Sequence, residues 1–311
     1  MIRIAILDDY QNVALEMADW TPLAGRAAIT VFNDHLSNVD EIVERLLPFD
    51  VVCVMRERTP LPRALIERLP RLKLIASTGS RNAAIDVEAA AERGIVVAHT
   101  GYDARSTIEM TWALIVASAR QVALEDAHLR GGGWQLTVGD RLHGKTLGVL
   151  GLGNIGWEVA RIGLAFGMEV IAWSQNLKAD KAKTCGARLV SKEDLFRSAD
   201  ILTIHVVLSQ RTKGLVGAAE LQAMKRSARL VNTSRGPIVD EPALIEVLRE
   251  RRIAGAALDV FDIEPLPADH PFRSLDNVLA TPHIGYVERD LYRIFYGDTV
   301  KNITGWLDQQ A

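Results

Sequence analysis

This sequence has few cysteines, no long apolar run and no excess of positive charge. Cys53 and Cys185 are the only two cysteines among 311 residues. A disulfide framework or a metal site needs more ligands than this pair supplies, so we expect two buried thiols in a reducing compartment. The net charge of −3 gives no basic surface, which disfavours nucleic acid as a partner.

No stretch is apolar for long enough to predict a membrane span. The longest apolar run, WALIVASA at 112–119, falls well short of the roughly 18 to 20 residues that a bilayer requires. The N-terminus, MIRIAILDDY, is a short apolar run broken by acids, which predicts a first strand and not a signal peptide. These two absences favour a cytoplasmic protein.

Short apolar runs alternate with longer amphipathic stretches, which predicts parallel sheets with helices on both faces. The first series reads IRIAIL, DVVCVM, LKLIAS and GIVVAH, and the second reads TLGVL, EVIAW, ARLV, ADILTIHV, ARLVNT, AGAALDV and NVLATP. We therefore predict an α/β protein with two doubly wound domains, at 1–99 and 100–284. One long helix is expected over Ser106–Gly131. The helical tail at 285–311 is predicted to pack on the first domain.

The segment TLGVLGLGNIG joins a buried strand to a helix through Gly151, Gly153 and Gly156. In such a loop the first glycine permits a tight turn, the second lets amides approach a pyrophosphate, and the third lets the helix pack close to the strand. The helix N-terminus offers free N–H groups and a positive dipole end to phosphate. The strand before the loop and the helix after it favour dinucleotide binding over a structural glycine turn.

An acid is missing from the end of the next strand, which reads VIAWSQN. An Asp or Glu at this place accepts the ribose hydroxyls of NAD and repels the 2′-phosphate of NADP. Here Ser174, Gln175 and Asn176 are neutral, and Lys178 is the nearest cation. Both NAD and NADP therefore stay open as cofactors, and the physical argument slightly favours NADP.

Three polar clusters follow buried strands near the end of the sequence. Arg235 lies in LVNTSRGPIVDE, and Asp259 and Glu264 lie in ALDVFDIEPLP. His283 lies in LATPHIG. The loops at the C-terminal ends of parallel strands converge on one crevice, so these side chains can meet there. Arg grips a carboxylate, His transfers a proton near neutral pH, and Glu orients the ring, so the set favours catalysis over separate structural roles.

In these stretches the chain resembles the D-isomer-specific 2-hydroxyacid dehydrogenase family. The matching segments are GKTLGVLGLGNIG, ADILTIHVVLSQRTKGLVG, LVNTSRGPIVDEPALIEVL, GAALDVFDIEPLP and NVLATPHIG, in family order over most of 144–285. The N-terminal half matches more loosely. The resemblance implies a flavodoxin-like substrate domain at 1–99 plus 285–311, a Rossmann NAD(P)-binding domain at 100–284, a cleft between them, and a homodimer.

The resemblance also implies a role for each matching residue. Arg235 binds the substrate carboxylate and carbonyl oxygen, His283 protonates that oxygen as hydride arrives, and Glu264 supports His283. Asp259 holds the nicotinamide carboxamide. The other cofactor positions are Asn154 and Ile155 at the pyrophosphate, Ser174 at the ribose, and His205, Val206 and Thr233 along the cofactor cleft.

The chain departs from the family pattern in its N-terminal substrate loop, which is usually rich in glycine and here reads TGSRNAAID. The amides of Gly79, Ser80 and Arg81 can still cradle a carboxylate. The Arg81 side chain is a candidate for a direct charge contact, which an unchanged KM in Arg81→Ala would contradict. Tyr286 stands where a small residue is common, so we expect it to shape the substrate pocket.

These observations predict an NAD(P)-dependent oxidoreductase that interconverts a small 2-keto acid and a D-2-hydroxy acid without a metal. A nucleotide-sensing binding protein, like the transcriptional corepressors of this fold, is the alternative from another class. A formate-type dehydrogenase is a second alternative, and it lacks a proton-donating pair of His and Glu. The complete set of Arg235, Glu264 and His283 favours the hydroxyacid enzyme over both.

Overall fold

The structure, a computed structural model, describes residues 1–310 and divides into two compact units. The first unit consists of Met1–Asp103 with Glu288–Ala311, and the second of Ala104–Val287. The sequence predicts these boundaries at 99/100 and 284/285, within four residues of those in the structure. Over residues 1–310, no helix combines the length and apolar character needed to cross a membrane.

The first unit is built on a five-stranded sheet in which all neighbouring strands are parallel. Its strands are β1 (Ile2–Ile6), β2 (Ala27–Val31), β3 (Val51–Val54), β4 (Leu74–Ser77) and β5 (Val96–His99). Its helices are α1 (Val39–Leu46), α2 (Arg63–Ile66), α3 (Val87–Glu92) and, at the C-terminus, α11 (Arg289–Asp308). The strand order β2-β1-β3-β4-β5 is that of a flavodoxin-like sheet.

Strand β2 is missing from the set of strands predicted from the sequence. It lies at the edge of the sheet and pairs only with β1 among the described strands. None of its five residues is fully buried. A short edge strand therefore lacks the continuous apolar run by which buried parallel strands are recognised.

The second unit contains a seven-stranded sheet, again parallel throughout. Its strands are β6 (Thr146–Leu150), β7 (Glu169–Trp173), β8 (Arg188–Leu189), β9 (Ile201–Ile204), β10 (Arg229–Asn232), β11 (Gly255–Leu258) and β12 (Val278–Ala280). Its helices are α4 (Arg105–Arg120), α5 (Val122–Arg130), α6 (Asn154–Ala165), α7 (Ala179–Thr184), α8 (Lys192–Ser198), α9 (Ala218–Ala223) and α10 (Glu241–Arg249). The order β12-β11-β10-β9-β6-β7-β8 reverses direction between β6 and β9. Ligands of open α/β sheets bind at such a switch point, and the predicted class of two doubly wound parallel sheets is confirmed.

The single helix predicted over Ser106–Gly131 is wrong, because two helices, α4 and α5, occupy this stretch. They are separated at Gln121, whose φ of +52° is a left-handed conformation. The returning chain then covers the end of α4, where the amide of Asp140 donates to the carbonyl of Ala119 at 2.8 Å. Left-handed backbone at a residue other than glycine has no reliable signal in the sequence.

Fully buried side chains hold the central strands that lead to the predicted site residues. Leu202, Leu230 and Leu258 lie on β9, β10 and β11, and they share one apolar cluster with Leu244 and Leu248 of α10. Burying a leucine contributes about 2 kcal/mol. The loops that follow these strands are therefore anchored at their bases by the core.

Candidate active site

The glycine loop after β6 is held against β7 and β9. Gly151 has a φ of +102°, and a Cβ there would lie 2.6 Å from the carbonyl oxygen of His205. Its amide donates to the carbonyl of Trp173 at 2.8 Å. A Cβ on Gly156 would overlap the carbonyl of Gly151. Both positions therefore require glycine for packing alone.

Gly153 differs from its two neighbours, because a Cβ there would meet nothing within 4 Å. It is the N-cap of α6, and the first bond along this helix runs from the amide of Trp157 to the carbonyl of Gly153. The amides of Asn154 and Ile155 come before that bond, at the positive end of the helix. Open space beside free donors fits the pyrophosphate of a dinucleotide.

The residues predicted to line the cofactor cleft lie around this loop. Ser174 follows β7 directly, is half-buried, and accepts through its carbonyl a bond from the amide of Leu177 at 3.0 Å. His205 and Val206 follow β9. Burial lowers the pKa of His205 to about 3, so its ring is neutral near pH 7. Its Nε2 and Oγ1 of Thr203 are 2.8 Å apart.

Glu264 and His283 form the central pair of the site. The Oε2 atom of Glu264 lies 2.5 Å from Nδ1 of His283, and its Oε1 accepts the amide of Phe261 at 2.9 Å. A carboxylate can only accept, so Nδ1 carries the proton. Nε2 is then the ring atom that remains for exchange of a proton with a bound substrate.

Arg235 lies in the turn after β10, where its Nη1 donates to the carbonyl of Ser234 at 2.7 Å. The next residue, Gly236, packs so closely on the backbone of Phe261 that a Cβ would overlap it. Phe261 is the residue whose amide holds Glu264. Backbone contacts thus connect the turn of the arginine to the carboxylate of the pair.

Asp259 follows β11 and is 1% exposed. Its carboxylate accepts bonds from the Oγ1 of Thr281 and from the amides of Ile284 and Gly285. Burial raises the pKa of Asp259, while these three bonds and the neighbouring His283 act in the opposite direction. Its predicted contact with the nicotinamide carboxamide stays a prediction.

Two further predicted residues, Tyr286 and Thr233, also belong to the second unit. The buried ring of Tyr286 meets the ring of His283 edge-on, with centroids 5.3 Å apart and an interplanar angle of 78°. Thr233, after β10, shares a 2.8 Å hydrogen bond with Thr111 of α4. Tyr286 therefore limits the positions open to the imidazole, and α4 is bonded to the end of β10.

The predicted substrate loop belongs to the first unit, after β4. Gly79 has a φ of +83°, and its amide donates to Oγ1 of Thr100 at 2.7 Å. The guanidinium of Arg56 covers Gly79 and donates to the carbonyl of Thr78 at 3.2 Å. Ser80 and Arg81 follow and are exposed. Within residues 1–310, the Arg81 guanidinium makes no hydrogen bond or ion pair, so it is available to an anion.

Sequence reasoning did not identify Thr281, which bonds Asp259, or Phe261, which bonds Glu264. Phe261 acts through its backbone amide, so its contribution cannot be recognised from the residue type. Thr281 had a usable signal, because it is the first residue after β12, and Asp259 is the first residue after the neighbouring strand β11. Adjacent parallel strands place such residues opposite each other.

Comparison with known proteins gives a consistent result. The model of the D-isomer specific 2-hydroxyacid dehydrogenase NAD-binding domain matches residues 112–285. A glyoxylate reductase of Aeropyrum pernix is 45% identical over 73% of this chain and 70% of its own length. A hydroxypyruvate reductase of Thermotoga maritima is 38% identical over 91% of both chains. The crystal structure of a phosphoglycerate oxidoreductase from Vibrio cholerae superposes with a TM-score of 0.94 at 37% identity, covering 99% of this chain and 100% of that one.

The relatives differ in length. This chain spans 47%, 48% and 53% of three D-3-phosphoglycerate dehydrogenases that it matches, which is about half of each. The chain therefore corresponds to a part of those proteins and to most of the glyoxylate and hydroxypyruvate reductases.

The contrast between two glycines of the loop gives a test of the cofactor site. We expect Gly156→Ala to lower the melting temperature, because the new methyl group overlaps the Gly151 carbonyl and overpacking costs about 1 to 3 kcal/mol. Gly153→Ala should leave the melting temperature within about 2 °C of the wild type, since a Cβ finds open space. Gly153→Ala should nevertheless weaken the binding of NADH and NADPH about tenfold, because the methyl group takes the place of the pyrophosphate.

Differential scanning fluorimetry and titration of cofactor fluorescence measure the two effects. Wild-type affinity in Gly153→Ala would contradict the placement of the dinucleotide on this loop.

Proposed function

The chain belongs to the D-isomer-specific 2-hydroxyacid dehydrogenase family, and from this premise we propose how its residues interconvert a 2-keto acid and a D-2-hydroxy acid. It is an oxidoreductase that binds a nicotinamide dinucleotide. The observation that carries the assignment of roles is the 2.5 Å contact between Glu264 and Nδ1 of His283. A ring held by a carboxylate at Nδ1 is oriented to exchange a proton at Nε2.

Each residue of the site has a separate role in the proposed reaction. The bound nicotinamide supplies the hydride for reduction or accepts it in oxidation. Arg235 binds the substrate carboxylate and polarises the carbonyl, since a guanidinium matches a carboxylate with two parallel bonds. His283 donates its Nε2 proton to the carbonyl oxygen during reduction and takes it back in oxidation. Glu264 stabilises the imidazolium and fixes the ring.

The substrate is proposed to be a small 2-keto acid such as glyoxylate or hydroxypyruvate. Support comes from the names of two relatives, which are 45% and 38% identical to this chain. In the first unit, the amides of Ser80 and Arg81 and the Arg81 guanidinium are proposed to bind the anionic substrate, whereas the predicted Gly79 amide already donates to Thr100. In the second unit, Tyr286 is proposed to limit the size of the substrate through its contact with His283.

The cofactor is proposed to be NADPH in preference to NADH, by a small margin. Ser174 directly follows β7, whose last residue bonds the glycine loop, and Gln175 and Asn176 beyond it are exposed and neutral. None of these three residues carries a carboxylate, so none of them repels the 2′-phosphate of NADP. The absence of an arginine among them keeps the margin small.

We further propose that the protein acts as a homodimer, joined through the second unit. None of the residues of α5 is buried. In the loop that follows, Trp134 is 74% and Val138 is 97% exposed. The carboxylate of Glu125 accepts the amides of Leu136 and Thr137, which fixes this apolar loop on α5. A rigid, exposed apolar segment of this kind marks an interaction surface, and we assign it to a second copy.

A cytoplasmic location is proposed on the state of the two cysteines. Cys53 and Cys185 are both free and buried. Burial raises the pKa of the Cys53 thiol to about 12, which keeps it protonated and unreactive. Unpaired thiols are usual in a reducing compartment, and fractionation of cells would test the assignment.

Removing the proton donor tests the proposed function. We expect His283→Ala to lower kcat for reduction of glyoxylate or hydroxypyruvate about 10²- to 10⁴-fold, the usual contribution of a general acid. Glu264→Gln should cause a smaller loss, because an amide still bonds the ring but does not stabilise its charge. Loss of NAD(P)H absorbance at 340 nm measures both. A wild-type protein that binds the cofactor but reduces no 2-keto acid would indicate a nucleotide-sensing protein instead.

The cofactor preference is tested at the end of β7. We expect Ser174→Asp to raise the ratio of kcat/KM for NADH to that for NADPH at least about tenfold, because a carboxylate repels the 2′-phosphate and accepts the ribose hydroxyls. Ser174→Asn is the matched neutral control and should change the ratio little. An equal shift in both variants would show that size and not charge acts at this position.

The dimer is tested at the apolar loop. We expect Trp134→Glu to convert the protein from dimer to monomer in sedimentation velocity at micromolar concentration, since a charge in the centre of an apolar interface is left unpaired. Trp134→Phe keeps an aromatic ring and should remain dimeric. A wild-type protein that sediments as a monomer would rule out the proposed assembly.

A further inference from the structure

Asp259 lies opposite the turn that carries the catalytic histidine. Strands β11 and β12 are parallel and in register, with Ala256 paired to Val278 and Leu258 paired to Ala280. The residue that follows Leu258 therefore faces the residue that follows Ala280, and these are Asp259 and Thr281. Placement of this carboxylate is thus a direct consequence of the strand register.

All three donors to Asp259 come from this turn. Its Oδ1 accepts the hydroxyl of Thr281 at 2.6 Å and the amide of Ile284 at 2.9 Å. Its Oδ2 accepts the amide of Gly285 at 2.8 Å. A Cβ on Gly285 would lie only 2.9 Å from Oδ2, so the approach requires a glycine. The donors lie on both sides of His283 along the chain.

His283 itself has an unfavourable backbone. Its φ is +51°, a left-handed conformation that costs an L-residue with a Cβ appreciable free energy. Its amide donates to the carbonyl of Thr281 at 3.0 Å, which closes the turn tightly. Such a conformation persists only where the surroundings over-determine it, and the carboxylate of Asp259 provides three of the contacts that do so.

We propose that Asp259 is a positioning residue whose carboxylate fixes the 281–285 turn, so that His283 stays bonded to Glu264 with Nε2 directed at the substrate. This inference rests on the proposed function, and it differs from a role in holding the nicotinamide carboxamide. Two donors already occupy Oδ1 and one occupies Oδ2. A contact with the cofactor has at most the remaining acceptor position on Oδ2.

A substitution at Thr281 distinguishes the positioning role of Asp259 from a role in holding the nicotinamide carboxamide. Thr281 contacts Asp259 through one hydroxyl. Thr281→Val keeps the shape and removes that donor. We expect kcat for 2-keto acid reduction to fall about tenfold with a larger solvent deuterium isotope effect, since a poorly oriented ring slows proton transfer. The dissociation constant of NADH should stay within about twofold of the wild type, because no group of the cofactor site changes. Thr281→Ser restores the hydroxyl and should restore both kcat and the isotope effect.

Amide hydrogen exchange tests the same proposal without turnover. The amides of Ile284 and Gly285 should exchange at least about tenfold faster in Thr281→Val and in Asp259→Asn than in the wild type or Thr281→Ser. Unchanged exchange in both variants would overturn the proposal. So would an Asp259→Asn protein whose kcat is intact and whose NADH affinity alone is lost, because that result assigns the carboxylate to the carboxamide. A wild-type protein without reductase activity refutes the proposed function, while the exchange rates still decide whether Asp259 holds the turn.

Discussion

The parallel register of β10, β11 and β12 is the constraint on which the arrangement of Arg235, Asp259, Glu264 and His283 depends. Leu230 pairs with Ala256, and Ala256 pairs with Val278. A shift of one residue in any of these strands would turn its side chains to the opposite face of the sheet. The three strands have only four, four and three residues. The register of β10 and β11 is therefore set by the few side chains that they bury, whereas β12 buries none fully and is aligned by its pairing with β11.

Close approach of the backbone to neighbouring groups links this register to the positions of Arg235, Glu264 and His283. Gly236 and Gly285 each lie where a side chain would collide, the first with Phe261 and the second with Asp259. Through Phe261 and its bond to Glu264, the turn of the arginine is joined to the partner of the histidine. Arg235, Glu264 and His283 are thus connected through backbone and side-chain contacts.

The sequence contained most of what determines the site, and the missing parts have physical causes. The glycine loop and the acid–histidine pair were predictable, since each depends on residue types that have few other uses in such places. The partners of Asp259 were not predictable from its own motif, because two of them are backbone amides and any residue supplies one. The break at Gln121 was hidden for a related reason: a returning loop, not local sequence, stabilises it.

Approximate free energies can be compared for the interactions that act on the ring and backbone of His283. His283 and Glu264 remain 19% and 31% exposed, and an ion pair in contact with solvent contributes only about 0 to 1 kcal/mol. The left-handed backbone of His283 costs about 1 to 2 kcal/mol, so the pair alone does not offset it. Three hydrogen bonds from the 281–285 turn to the carboxylate of Asp259 are the other contacts that act on this backbone, and they also offset part of the cost of burying that carboxylate. In the proposed role of Asp259, the orientation of the His283 ring therefore depends on this carboxylate as well as on Glu264.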